Sequence, residues 1–241
     1  LFLAAELGNE MMVERLLTMP QVSSGPKNHW GETPLDAAAL HGHANIVKLL
    51  LSRSNVDPNS KTNKGNTPLR YATRSGAEGV AKLFLNLDNF DPNIANNHGT
   101  APLSLSAEYR HVGIVEMLRV MNNIDLNPVD RDGDTLLLVA ALGGNKKVLQ
   151  LLFDCKGINR NQVNNKGHTL LHMAVYSRRE AAILLLLGRG DSDLNTRDLS
   201  SATPLELAVR SGYEGIVGLL KATQTHYSGP TGTGSSTLAG Y

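Results

Sequence analysis

Glycine recurs at positions 31, 65, 99, 133 and 167, each 34 residues from the last, and Ser201 takes the next place. Four residues beyond each stands a leucine: Leu35, Leu69, Leu103, Leu137, Leu171 and Leu205. One step further back reaches Leu1. A single register therefore covers residues 1–221 without insertion. It gives seven units, starting near 1, 28, 62, 96, 130, 164 and 198, the first without its leading turn. A strict period of this length builds a solenoid, because no unit buries its apolar face except against its neighbours.

The unit reads as two helices and a loop. Thr33, Thr67, Thr135, Thr169 and Thr203 stand where a side-chain oxygen caps a helix start. Pro34, Pro68, Pro102 and Pro204 follow at the first helical position, where a missing N–H costs little. The short first helix turns its leucine and alanine registers (Leu69, Ala72 and their equivalents) inward, the alanines allowing close approach of neighbours. Gly8, Gly42, Gly76, Gly144 and Gly212 end it. A second helix follows, as in "NIVKLLL" (45–51), "GIVEMLR", "KVLQLLF" and "GIVGLLK". A polar segment such as "SNVDPNSKTNKGN" then reads as an extended, hairpin-like loop.

In this pattern the chain resembles the ankyrin repeat family, whose "G-x-TPLH-x-A…G-H…V-V-x-LLL…G-A-D-V-N" matches "GETPLDAAALHGHANIVKLLL…NVDPN". Tetratricopeptide repeats share the period, but their Trp, Tyr and Phe signature is missing, and they explain neither TPL nor the long polar segment. The resemblance implies an all-α solenoid of stacked helix-turn-helix units. In such arrays the hairpin tips and first helices form a concave face. "DPN" at 57–59 and 91–93, with a period of 34, resembles arrays from filamentous fungi, often attached to nucleotide-binding sensor proteins.

Departures from the pattern are as informative. Ala101 replaces the capping threonine, and Arg110 and Arg178 replace the helix-ending glycine. A non-glycine residue in a left-handed conformation costs roughly 1–2 kcal/mol, so the units around 99–120 and 167–187 are expected to be softer. The family's histidine after TPL survives as His172, with Asp36, Arg70, Ser104, Leu138 and Glu206 elsewhere. That variation puts the hydrogen-bond ladder of the family in question here.

Net charge is +1, so no global field draws the chain to nucleic acid or an anionic membrane. Cys155 is the single cysteine, which excludes an internal disulfide, and no apolar run reaches the length of a membrane span. These features point to a cytoplasmic, or nuclear, setting. The chain begins with Leu rather than Met and reads as a piece of something longer.

Few residues carry chemistry of their own. "GPTGTGSS" (229–236) resembles a phosphate-binding loop, but Ser235 stands where lysine is required, and a Gly/Ser/Thr-rich linker over 222–241 is the simpler reading. Tyr227, Leu238 and Tyr241 are candidates for docking that tail on the last unit. His41 and His43 flank a helix-ending glycine, where His43, like His111, falls on the family's structural "G-H" position. The aspartates at 57, 91, 125 and 193 read as turn formers. Asparagines 59, 93, 127, 161 and 195 recur with them; the family resemblance makes them possible hydroxylation targets, though their usual role is structural. No catalytic triad, metal site or cofactor site assembles.

Function is therefore expected where the units differ, at the tips and at the ends of the first helices. The candidate partner-binding residues are His29, Trp30, Leu40, His41, Lys64, Arg74, Tyr109, Arg131, Leu142, Tyr176 and Arg210. Trp, Tyr and Arg carry a large share of binding energy at interfaces. The expectation is a non-enzymatic, monomeric module that binds another protein or peptide on its concave face. The alternative is a ligand-sensing regulatory segment of a larger protein, such as a fungal nucleotide-binding sensor.

Overall fold

The computed structural model describes residues 1–227 apart from 24, 89 and 191. Fourteen helices fall into seven pairs among the described residues. They are α1 (Phe2–Glu6) with α2 (Glu10–Leu17), α3 (Pro34–Leu40) with α4 (Ala44–Leu51), α5 (Pro68–Ser75) with α6 (Glu78–Leu85), and α7 (Pro102–Glu108) with α8 (Val112–Leu118). Next come α9 (Leu136–Gly143) with α10 (Lys146–Phe153), α11 (Leu170–Tyr176) with α12 (Glu180–Arg189), and α13 (Pro204–Arg210) with α14 (Glu214–Tyr227). Each odd-numbered helix packs on the next odd one and each even-numbered helix on the next even one, so two rows run the length of the stack.

The caps form as the sequence predicts. Thr33, Thr67, Thr135, Thr169 and Thr203 each accept a hydrogen bond from the backbone N–H three residues on. Ala101 supplies no side-chain cap to α7. Losing such a cap costs about 1 kcal/mol. Gly76 and Gly144 close α5 and α9 in the left-handed conformation. Arg110, Arg178 and Ser201 adopt positive φ (65°, 55° and 62°) at the register positions where glycine is replaced.

The core is one continuous cluster from Ala5 to Leu220. Ala38, Ala72, Ser106, Ala140, Ala174 and Ala208 are all fully buried, as close helix approach requires. Leu35, Leu69, Leu103, Leu137 and Leu171 are buried as well. Each such leucine contributes roughly 1.5–3 kcal/mol. At the two ends of the stack Ala4 and Leu205 are only half-buried, lacking a neighbour on one side. Helix α14 continues past residue 221, into the segment read from sequence as tail. Positions 229–236, Leu238 and Tyr241 lie outside the described residues, as does the side chain of Tyr227.

Each loop closes as a small hairpin. Asn28 N–H donates to the Glu32 carbonyl, and the same bond repeats at 62→66, 96→100, 130→134, 164→168 and 198→202. The first residue of the turn also accepts through its side chain: Asn28 Oδ1 from the N–H groups of Trp30 and Glu32, with Asn96, Asp130, Asn164 and Asp198 repeating the arrangement. Earlier in the loop Asp57, Asp91, Asp125 and Asp193 each accept from the N–H two residues on, the turn role expected of them. Asn93 and Asn127 tie their loops to the next unit, each donating to and accepting from its backbone.

Candidate functional site

The hairpin tips are joined to one another by main-chain hydrogen bonds. Asn63 N–H donates to the Trp30 carbonyl, Asn97 to Lys64, Arg131 to His98, Asn165 to Asp132 and Leu199 to Lys166. Three tip side chains reinforce the series: the amides of Asn63, Asn97 and Asn165 donate to the carbonyls of His29, Asn63 and Arg131. These asparagines stand at the tips, where the sequence predicts variation for recognition. They belong to the frame instead, because each amide bridges adjacent tips alongside the main-chain bond. A Cβ placed on Gly31 would lie 2.6 Å from Asn63 Oδ1, so both the positive φ and the close approach require glycine there.

What the tips leave outward are the side chains of His29, Trp30, Lys64 and Arg131, all exposed. Trp30 is 59% accessible although its backbone is fixed on both sides, and the His29 ring lies 3.6 Å from its own.

At the far end of the first helices a second frame contact appears. His43 Nε2 meets the Glu6 carbonyl at 3.1 Å, His111 Nε2 meets that of Arg74 at 3.1 Å, and Arg179 Nε donates to that of Leu142 at 3.2 Å. His43 and His111 thus hold adjacent units together. Tyr109 and Tyr176 remain 45% and 62% accessible beside the rings of His111 and His168. Arg74, Arg210 and His41 are exposed, whereas Leu40 and Leu142 are half-buried against the core and offer only an edge. Trp30, Tyr109 and Tyr176 do not touch; they occupy alternate units, those starting at 28, 96 and 164.

The first helices and the hairpins also carry charged groups whose ionisation the fold shifts. Arg70 and Glu108 act on each other electrostatically, and burial pushes the Arg70 guanidinium down and the Glu108 carboxyl up. Burial also raises Asp134, which accepts from the Asn164 amide at 2.7 Å. Burial lowers His168, which lies 3.5 Å from Asp198.

In the second unit the pattern changes. Asp36, 2% accessible, completes the cap of α3 by accepting through Oδ2 from the N–H and Oγ1 of Thr33, at 2.7 and 2.8 Å. Its other oxygen, Oδ1, is buried without a partner. Burial pushes its carboxyl up to about 6, against the two Thr33 hydrogen bonds and with help from Glu32. The phenol of Tyr71, pushed up to about 12 chiefly by burial, donates to Glu32 Oε1 at 2.8 Å, and Asn28 donates to Glu32 Oε2 at 2.9 Å. Asp36 and Tyr71 were not among the residues singled out from sequence. The one available signal was Asp36 at the TPLH position.

A family model of ankyrin repeats in three copies matches residues 1–96, 54–130, 103–198 and 156–228. The chain belongs to the ankyrin repeat family. Among solved structures it is similar to the ankyrin repeat domain of Bcl-3, described as a unique member of the IkappaB protein family. The two share 21% identity over 86% of this chain and 92% of that one, with a TM-score of 0.67, which establishes a shared fold. No curated protein matches in sequence. Ankyrin repeats are in general protein–protein interaction modules and typically non-enzymatic scaffolds. No helix among the described residues is long and apolar enough to cross a membrane.

Proposed function

We propose that this ankyrin array is a non-enzymatic module that holds a partner protein or peptide along its concave face, the side formed by the tips and first helices. The observation that carries this reading is the exposure of Trp30, Tyr109 and Tyr176 on a frame whose backbone is otherwise committed. Large aromatics on a rigid support bind at low entropic cost. Arg74, Arg131, Arg210, Lys64, His29 and His41 place hydrogen-bond donors around them, and Leu40 and Leu142 add apolar edge. A partner spanning three or four units would bury on the order of 800 Å² of this surface, a standard interface.

The test is a comparative pull-down from a lysate of the source organism, with the wild-type array beside a Trp30→Ala/Tyr109→Ala/Tyr176→Ala variant shown by circular dichroism to be folded. A protein retained by the wild type and lost by the variant supports the reading. Equal retention by both removes these aromatics from the site. If neither retains anything, the ligand-sensing alternative gains, and small molecules should be screened by thermal shift.

A further inference from the structure

One loop register is apolar along the array until its last member: Val22, Val56, Phe90, Ile124 and Ile158 are followed by Ser192. Phe90 and Ile158 are buried, and Val56 and Ile124 pack against the core. The Ser192 hydroxyl donates to the Leu186 carbonyl at 3.2 Å, which accounts for its polarity but not for the loss of bulk. Beside it lies a cavity of about 230 Å³ floored by Phe153, Leu170, Leu171 and Leu186. An apolar cavity of roughly 150 Å³ is enough for a benzene ring. The second unit has a recess at the same register, but it keeps Val56, opens beside Gly25 where later units carry asparagine, and has only Leu35 and Val56 as apolar lining.

The two charged groups that line the cavity differ in what they have left to offer. Asp193 is committed to its own loop, accepting from the Asn195 N–H and the Thr196 hydroxyl, both at 2.8 Å. Arg160 stands where other units carry Pro58, Pro92, Leu126 and Leu194. One of its Nη groups donates to the Phe153 carbonyl at 2.7 Å, and the guanidinium lies 5.8 Å from the Phe153 ring. Its other N–H groups have no hydrogen-bond partner among the described residues.

We propose that this cavity binds a small hydrophobic monocarboxylate, a free acid with an apolar body about the size of one ring. The body would take the place that valine, phenylalanine or isoleucine holds in other units, against Phe153 and the leucines. The carboxylate would meet the uncommitted N–H groups of Arg160 at the exposed rim, where a planar fork of donors suits it better than an alcohol or an amine. None of the residues proposed for partner binding lines the cavity. The site therefore stands or falls independently of the concave face.

The folded array at pH 7.5 would be titrated separately with phenylacetate, phenylethanol and acetate, following backbone amide chemical shifts. The expected result is a saturable response centred on Leu170 and Ser192 with phenylacetate, about tenfold weaker with the alcohol and absent with acetate. The amides of Val56 and Ser60, in the recess of the second unit, should not move. Ser192→Ile, which restores the side chain of the preceding unit, should abolish binding of both ring compounds. Arg160→Gln, at an exposed position, should lower phenylacetate to the affinity of the alcohol and serves if the first variant does not fold. No saturable response, equal affinity for acid and alcohol, or undiminished phenylacetate binding in either folded variant would overturn the proposal. A further arm uses N-acetylphenylalanine. Weaker binding than that of phenylacetate supports a free acid, whereas binding at least as tight would assign the cavity to the carboxyl terminus of a protein chain and overturn the small-molecule assignment.

Discussion

The second and sixth units place different residues at the same point of the same cap. In the sixth, His172 Nδ1 meets Thr169 Oγ1 at 2.9 Å, while Nε2 reaches across the unit boundary to the Ala202 carbonyl at 3.0 Å. The imidazole is fully buried and both nitrogens are engaged. In the second, Asp36 makes the cap but is too short and of the wrong polarity to reach a carbonyl, so one oxygen is left over. A position that bridges two units in one place caps only its own helix in another. The difference is whether the side chain donates across the boundary.

The comparison breaks first at His172. Replacement by alanine deletes a buried bridge between units and leaves the Ala202 carbonyl unpaired, with an expected loss of about 3 kcal/mol in denaturant unfolding. Asp36→Asn should act in the opposite direction. The Asp36 pKa is about 6 in the fold against an ordinary 3.8, so the folded chain binds this proton more tightly than the unfolded one. Its stabilising contribution is complete below about pH 3.8 and is lost as pH rises through 6. At pH 7 the asparagine variant should therefore be more stable by about 2 kcal/mol, part of the gain being offset by weaker hydrogen bonds from Thr33. Unfolding of both proteins at pH 4 and pH 7 checks this, and an excess that does not grow with pH would contradict it.

Two smaller changes sharpen the contrast between conforming and departing positions. Arg110→Gly should relieve the left-handed strain at φ 65° and stabilise by about 1 kcal/mol in thermal unfolding. Arg178→Gly should gain less, because the Arg178 guanidinium lies 4.1 Å over the Tyr213 ring and that contact would be lost.

Much of the frame could be read in the sequence. The leucine and alanine registers, the threonine caps and the left-handed positions, including Arg110 and Arg178, all stand where the 34-residue period places them. The period hides other features for a definite physical reason. Aligning units compares like position with like, whereas several of the bonds between units join unlike positions. Tyr71 reaches Glu32 across 39 residues, Asn164 reaches Asp134 across 30, and His111 reaches the Arg74 carbonyl across 37. Asn63, Asn97 and Asn165 do join like positions, 34 residues apart, but asparagine alternates there with His29, Arg131 and Leu199, so the position reads as variable although the three amides are structural. Asp36 looked like a lost family histidine, and its unpaired oxygen emerged only with the neighbours in place.

The bonds from tip to tip also fix a length scale. With each tip tied by a main-chain bond to the one before, none slides independently, and the tips repeat at the spacing of the helices behind them, about 10 Å. Three residues of polyproline II chain, at about 3.1 Å each, would cover the same distance and bring the side chain back to the same face. Under the binding function proposed above, the array would act as a ruler graduated in threes: a peptide laid along it in that conformation would return to an equivalent tip at every third residue, and the unlike side chains on successive tips would determine which of its three phases fits.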